Sequence, residues 1–162
     1  MRNLLVIVVV LGACGKSGGG ADWTKQPVKP FDGTVDAFKY QINLPGDWTP
    51  RKPPDDGWSA PTGDQFQRPS VSVKTISLSG KLDDAIATAG DKPERFVRKD
   101  QKPDGFSLTE VHDKGLIRAT TFKKAGDKYL WCTASQATNE GIPNFDTAKP
   151  ALEAICDSIV VK

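Results

Sequence analysis

Side chains able to do acid–base or nucleophilic chemistry are few in this sequence, which has one histidine and three cysteines among 162 residues. Glu110 and His112 lie two positions apart, so on a strand they would share a face and could act as the acid–base pair of a hydrolase. A solvated strand end has the same spacing, and we favour that interpretation. With one histidine and no closely spaced cysteines, neither a metal site nor a cofactor is predicted.

The first 13 residues have the composition of an export signal. Arg2 supplies positive charge, residues 4–11 are all apolar, and Gly12 and Ala13 are small. As a helix, the apolar run reaches only about 12 Å, whereas the hydrocarbon core of a membrane is about 30 Å thick. The pattern therefore predicts a signal peptide over residues 1–13 rather than a membrane-spanning anchor.

The end of this signal carries the first cysteine. The run Leu11-Gly12-Ala13-Cys14 resembles the lipobox of bacterial lipoproteins. The resemblance implies that a lipid is attached to the Cys14 thiol, that the chain is cut before this residue, and that acyl chains hold the protein to a membrane. In enteric lipoproteins, an aspartate directly after the lipidated cysteine favours retention in the inner membrane. Because this chain has Gly15 at that position, the resemblance implies the outer membrane. The alternative is an ordinary signal peptide followed by a cysteine by chance.

Lipidation of Cys14 would leave Cys132 and Cys156. A pair of cysteines in an exported domain favours a disulfide. Cys132 falls on the presumed core face of a predicted strand and Cys156 on the apolar stripe of the predicted last helix, so the bond would fix that helix to the sheet. Two separate buried thiols are the alternative.

Residues 45–69 form an unusual connection, with half of the twelve prolines of the chain. A long, proline-rich connection is typical of a binding loop, and tryptophan and arginine dominate interface energetics. The candidate binding residues of this loop are Trp48, Arg51, Lys52, Trp58 and Phe66. The alternative is that Trp48 and Trp58 cap the edge of the core.

Alternation of apolar and polar residues predicts a first strand over residues 38–44. The apolar phase changes after Val73, which predicts a bulge near Thr75. Further strands are predicted at residues 106–111, 116–122 and 129–134, with residues 94–98 pairing with the first of these.

Two helices are predicted. The first covers residues 82–89 and is closed by Gly90. The second covers residues 147–158, with Asp146 as N-cap and Pro150 in the first turn. Its apolar stripe consists of Leu152, Ile155, Cys156 and Ile159. Strands joined by turns, with helices between and after them, predict an α+β fold in which helices pack on an antiparallel sheet.

Residues 38–48 form an alternating strand that ends in Leu44-Pro45 and is followed by Trp48. This opening resembles that of PsbP-like domains, which also occur in DcrB-type bacterial lipoproteins, and the closing strand, helix and short tail are similar as well. The resemblance covers residues 31–162. It implies a non-enzymatic accessory or assembly factor and supplies no catalytic residue.

Composition and charge fit one domain held by a tether. Net charge is +2, which favours neither nucleic acid nor an anionic surface as a partner. The glycine- and proline-containing residues 14–30 are predicted to be a flexible tether, and residues 31–162 a single domain. The expected partners are the membrane, through the lipid, and an envelope protein or the cell wall.

Lipidation of Cys14 is directly testable. Mass spectrometry of the membrane-extracted protein should find an acylated Cys14 as the first residue. Cys14→Ser should abolish acylation, because the thiol is the only group here that takes the lipid. An intact Met1 on the membrane-extracted protein would contradict the prediction.

Overall fold

The computed structural model describes residues 22–51, 57–61, 68–90 and 92–162. The predicted signal peptide and Cys14 lie outside these residues, as do Lys52 and Phe66. Short 3₁₀ helices cover Trp23–Lys25 and Pro93–Arg95. The strands and helices, in chain order, are β1 (Val28–Val35), β2 (Phe38–Pro45), β3 (Thr49–Pro50), β4 (Trp58–Ser59), β5 (Ser70–Ile76), α1 (Leu82–Ala89), β6 (Phe96–Lys102), β7 (Gly105–His112), β8 (Leu116–Ala125), β9 (Lys128–Ala137), α2 (Phe145–Asp157) and β10 (Val160–Val161).

The described strands form two antiparallel sheets. The larger has seven strands in the order β3-β4-β5-β9-β8-β7-β6, and the smaller has three in the order β1-β2-β10. Tight turns join β6 to β7, β7 to β8 and β8 to β9, so neighbours in the chain are neighbours in the sheet. The fold is therefore α+β with an antiparallel sheet and packed helices, as the sequence predicts.

The large sheet has an apolar core on each face. Val71, Val73 and Leu130 pack with α2 and the small sheet. On the other face, Phe106 and Phe122 pack with α1. We call these the α2 face and the α1 face.

Most element predictions are confirmed. The predicted first strand is β2, the first helix has the predicted bounds, and β6 pairs with β7 across the turn. The predicted bulge near Thr75 is wrong, because β5 pairs with β9 in one unbroken register. The apolar phase changes instead because Ile76 and Leu78 pack in the second core, on the α1 face.

The ends of two other segments also differ from prediction. Helix α2 begins at Phe145 after Asn144, so Asp146 lies inside the helix and Pro150 falls in its second turn. The 3₁₀ helix at Trp23–Lys25 and the start of β1 at Val28 lie within residues 14–30, where a tether is predicted. Described elements of the fold thus begin before Phe31.

A disulfide links Cys132 of β9 to Cys156 of α2, with their Cα atoms 5.5 Å apart. Both cysteines are completely buried in the core of the α2 face. The bond closes a loop with a sequence separation of 24 and fixes the last helix to the middle of the sheet.

Removal of this bond should destabilise the fold. The double variant Cys132→Ala/Cys156→Ala should lose about 3 to 4 kcal/mol of unfolding free energy, because the unfolded chain regains the entropy that the closed loop removes. Guanidinium denaturation of the variant, and of the reduced wild type as a second reference, measures the loss. An unchanged denaturation midpoint in both would contradict the prediction.

Candidate functional site

The predicted acid–base pair is not assembled as a pair. Glu110 is only 3% exposed, and its carboxylate accepts a hydrogen bond of 2.7 Å from Nη1 of Arg118, its cross-strand neighbour. Nη1 of Arg95 lies 3.9 Å from the same carboxylate. His112 is exposed at the strand end, where Nε2 lies 3.6 Å from Oδ2 of Asp113.

The expectation of a solvated strand end thus holds for His112 and is wrong for Glu110. Gly90, just after α1, covers this part of β7, and a side-chain carbon added at Gly90 would lie 3.4 Å from Oε2 of Glu110. A buried carboxylate that is paired with two arginines is not presented to a substrate. The geometry does not favour a hydrolase built on Glu110 and His112.

The two tryptophans of the predicted binding loop are buried. Trp48 is 3% and Trp58 is 8% exposed. Trp58 packs edge-on against Tyr40 at a ring distance of 6.3 Å, and Trp48 contacts Trp23 at 5.6 Å. Because they are buried, neither tryptophan offers an exposed aromatic surface for binding, and both pack in the main core, in keeping with the alternative interpretation.

The remaining loop residues differ in position. Arg51 is exposed at the end of β3, and its backbone N–H donates a 2.8 Å hydrogen bond to the carbonyl of Gly57. Lys52 and Phe66 lie outside the described residues. A binding role for this segment stays a prediction, with Arg51 as its described candidate.

A polar row lies between α2 and the large sheet. Oδ1 of Asp157 accepts hydrogen bonds from the hydroxyls of Ser107, at 2.7 Å, and Thr121, at 2.9 Å. Arg98 and Lys102 of the edge strand β6 also donate to this carboxylate. Partial burial alone would raise the pKa of Asp157, but the hydrogen bonds from these four side chains outweigh it and lower the pKa to about 2 from 3.8.

One turn earlier, Glu153 makes the equivalent contact. Its Oε1 accepts hydrogen bonds from Thr109 Oγ1, at 2.6 Å, and from Lys149 Nζ, at 2.9 Å. The carboxylates of Glu153 and Asp157 accept hydrogen bonds from side chains of the sheet, so this row attaches helix α2 to the sheet.

A pocket of about 300 Å³ opens on the α1 face, beside α1. The strand register brings its side chains together, since Ser72 lies opposite Thr133, and Lys74 opposite Trp131. No carboxylate is among the described residues that line it. We call it the donor pocket, because the hydrogen-bond donors around it are Ser72, Lys74, Thr88, Arg118, Trp131 and Thr133.

The donor pocket has no counterpart among the sequence-based predictions. Its signal is the polar phase of two strands, in which Ser72 and Lys74 alternate with buried valines, and Trp131 and Thr133 alternate with Cys132. Such a phase looks like a solvent-facing strand surface, and only the pairing of β5 with β9 shows that the two polar rows are adjacent.

The described part of the chain holds neither a metal-binding cluster nor a membrane-spanning helix. No group of three or more histidine, cysteine or acidic side chains there is placed to hold a metal ion. No helix among the described residues has the length and apolar character needed to cross a bilayer.

Solved structures of other proteins share the architecture. The Ran-binding protein Mog1p of Saccharomyces cerevisiae superposes with a TM-score of 0.55 at 11% identity, over 83% of this chain and 95% of that one. The cyanobacterial PsbP (CyanoP) of Synechocystis sp. PCC 6803 matches with a TM-score of 0.50 at 16% identity, over 94% of this chain and 99% of that one. The fold is PsbP-like. At these identities the likeness shows the fold alone. No known family profile and no curated protein sequence matches the chain.

The attachment through Asp157 predicts a pH-dependent stability. Because the folded-state pKa lies below 3.8, the carboxylate adds stability above about pH 4, and this contribution is lost as the pH falls towards 2. Asp157→Asn should cost about 1 to 2 kcal/mol at neutral pH and should weaken the loss of stability in that window. Urea denaturation between pH 2 and 7, with the exposed Asp127→Asn as control, measures both effects. A variant with the wild-type profile would contradict the assignment.

Proposed function

We propose that this chain is a lipoprotein of the cell envelope, anchored by a lipid on Cys14, whose PsbP-like domain binds a partner protein and has no enzymatic activity. The observation that carries the proposal is the disulfide between Cys132 and Cys156, buried in the main core. Structural disulfides form in oxidising compartments outside the cytosol. This supports export, which the N-terminal signal and the lipobox resemblance also favour.

The domain's similarity to known folds supports a binding role. Mog1p is a Ran-binding protein, so this fold accommodates protein recognition in at least one case. For the present chain we propose a protein or cell-wall partner within the envelope and, from the resemblance to lipoproteins with Gly15 after the cysteine, the outer membrane as the site of anchoring.

The proposed contact surface is the segment around Arg51. Arg51 follows Pro50, whose ring restricts the backbone, and the hydrogen bond to Gly57 holds the backbone of Arg51 beside the start of β4. A cation on a preorganised backbone loses little conformational entropy when it binds, and it can form paired hydrogen bonds with a partner's carboxylate.

Chemical cross-linking in intact envelopes tests the proposal. The wild-type chain should yield a reproducible cross-linked protein partner, and Arg51→Ala should reduce its recovery about fivefold or more, as expected when one interface arginine is lost. Arg51→Lys should restore part of the recovery, since it keeps the charge and loses the paired geometry.

The control is Lys99→Ala, which removes an exposed cation from the distant edge strand β6. Equal recovery from wild type and Arg51→Ala would exclude this segment as the contact surface. A catalytic activity of the purified chain that His112→Ala abolishes would overturn the non-enzymatic proposal.

A further inference from the structure

We propose that the donor pocket binds a small phosphate group, either inorganic phosphate or a phosphomonoester. This inference goes beyond the proposed function. It depends neither on the lipid anchor nor on the segment around Arg51, because the pocket lies on the α1 face and is built from β5, β8, β9 and α1.

The pocket carries positive charge, from Lys74 and Arg118. Lys74 is exposed and has no ion-pair partner among the described residues. Arg118 donates one hydrogen bond from Nη1 to the carboxylate of Glu110. A guanidinium has five N–H groups, so Arg118 can also donate to a ligand. The carboxylate bonded to Arg118, that of Glu110, is already compensated by Arg95 and Arg118. The charge of Lys74 is therefore left for a ligand.

The neutral donors of the pocket are also unused. The hydroxyls of Ser72, Thr88 and Thr133 make no hydrogen bond within the described residues. The indole N–H of Trp131 is buried and has no partner there, although the ring itself stacks on Phe122 at 5.9 Å. A buried donor without an acceptor is costly, and an indole nitrogen can only donate. Trp131 lines the pocket, and an acceptor bound there would satisfy this N–H once a small movement of the ring exposes it.

The arrangement of donors selects among anions. Hydroxyl, ammonium, guanidinium and indole donors come from one face of three strands and from α1, so a ligand with several acceptor oxygens engages more of them than a ligand with two. A tetrahedral phosphate presents oxygens in several directions, whereas a carboxylate presents two in one plane. A volume of about 300 Å³ suits a small ligand.

Calorimetric titration of the full chain, with its disulfide intact, tests the inference. The probes are inorganic phosphate, glycerol 3-phosphate and acetate. We expect both phosphate compounds to bind and acetate to bind at least tenfold more weakly. Tighter binding of glycerol 3-phosphate would identify a phosphomonoester as the natural ligand, and equal binding would identify free phosphate.

Two substitutions test whether the anion binds in the donor pocket. Lys74→Gln should raise the Kd for phosphate about tenfold or more, because it removes a charge-assisted hydrogen bond. Trp131→Phe keeps an aromatic ring against Phe122 and removes the N–H, and should raise the Kd about threefold or more. Lys99→Gln, on the far edge strand, is the matched control and should leave the Kd unchanged.

Thermal melting of each variant shows that it is folded before it is titrated. No binding of either phosphate compound, or acetate binding as tight as phosphate binding, would overturn the proposal. So would a Kd that neither Lys74→Gln nor Trp131→Phe changes, or an equal effect of Lys99→Gln.

Discussion

The attachment of α2 to the large sheet is the constraint on which the rest of the structure depends. One covalent bond, between Cys132 and Cys156, and one row of hydrogen bonds, from the sheet hydroxyls to Glu153 and Asp157, hold the helix against β7, β8 and β9. The chain then continues directly into β10, which pairs with β2 and so brings the small sheet over the same face. The largest core of the protein is closed by this arrangement.

The α1 face is covered less completely by the described residues. Helix α1 has eight residues and is therefore about 12 Å long, whereas the large sheet is several strands wide at about 4.8 Å each. It covers the aromatic residues Phe106 and Phe122, and the polar side of β5 and β9 extends beyond it. The donor pocket lies at that boundary. The α2 face thus holds the fold together, and the α1 face offers a ligand site.

The sequence predicts those features that depend on local pattern. The alternation along β2 and the bounds of α1 follow from spacing and from a glycine just after the helix. The disulfide between Cys132 and Cys156 is also as predicted, whereas several other features that depend on distant partners are missed or wrong. Glu110 is buried because Gly90 covers it, and Trp58 is buried because the small sheet packs over it. In β5 the apolar phase changes because the sheet has a core on both faces, which a pattern along one strand cannot distinguish from a bulge.

Nuclear magnetic resonance of the tryptophan indole groups tests the division between the two faces most directly. The chain has four tryptophans, so four indole N–H signals are expected. Titration with phosphate should shift the signal of Trp131 and leave those of Trp48 and Trp58, in the core of the α2 face, unchanged. A shift of Trp48 or Trp58 with Trp131 unmoved, or no shift at any of the four, would contradict the account.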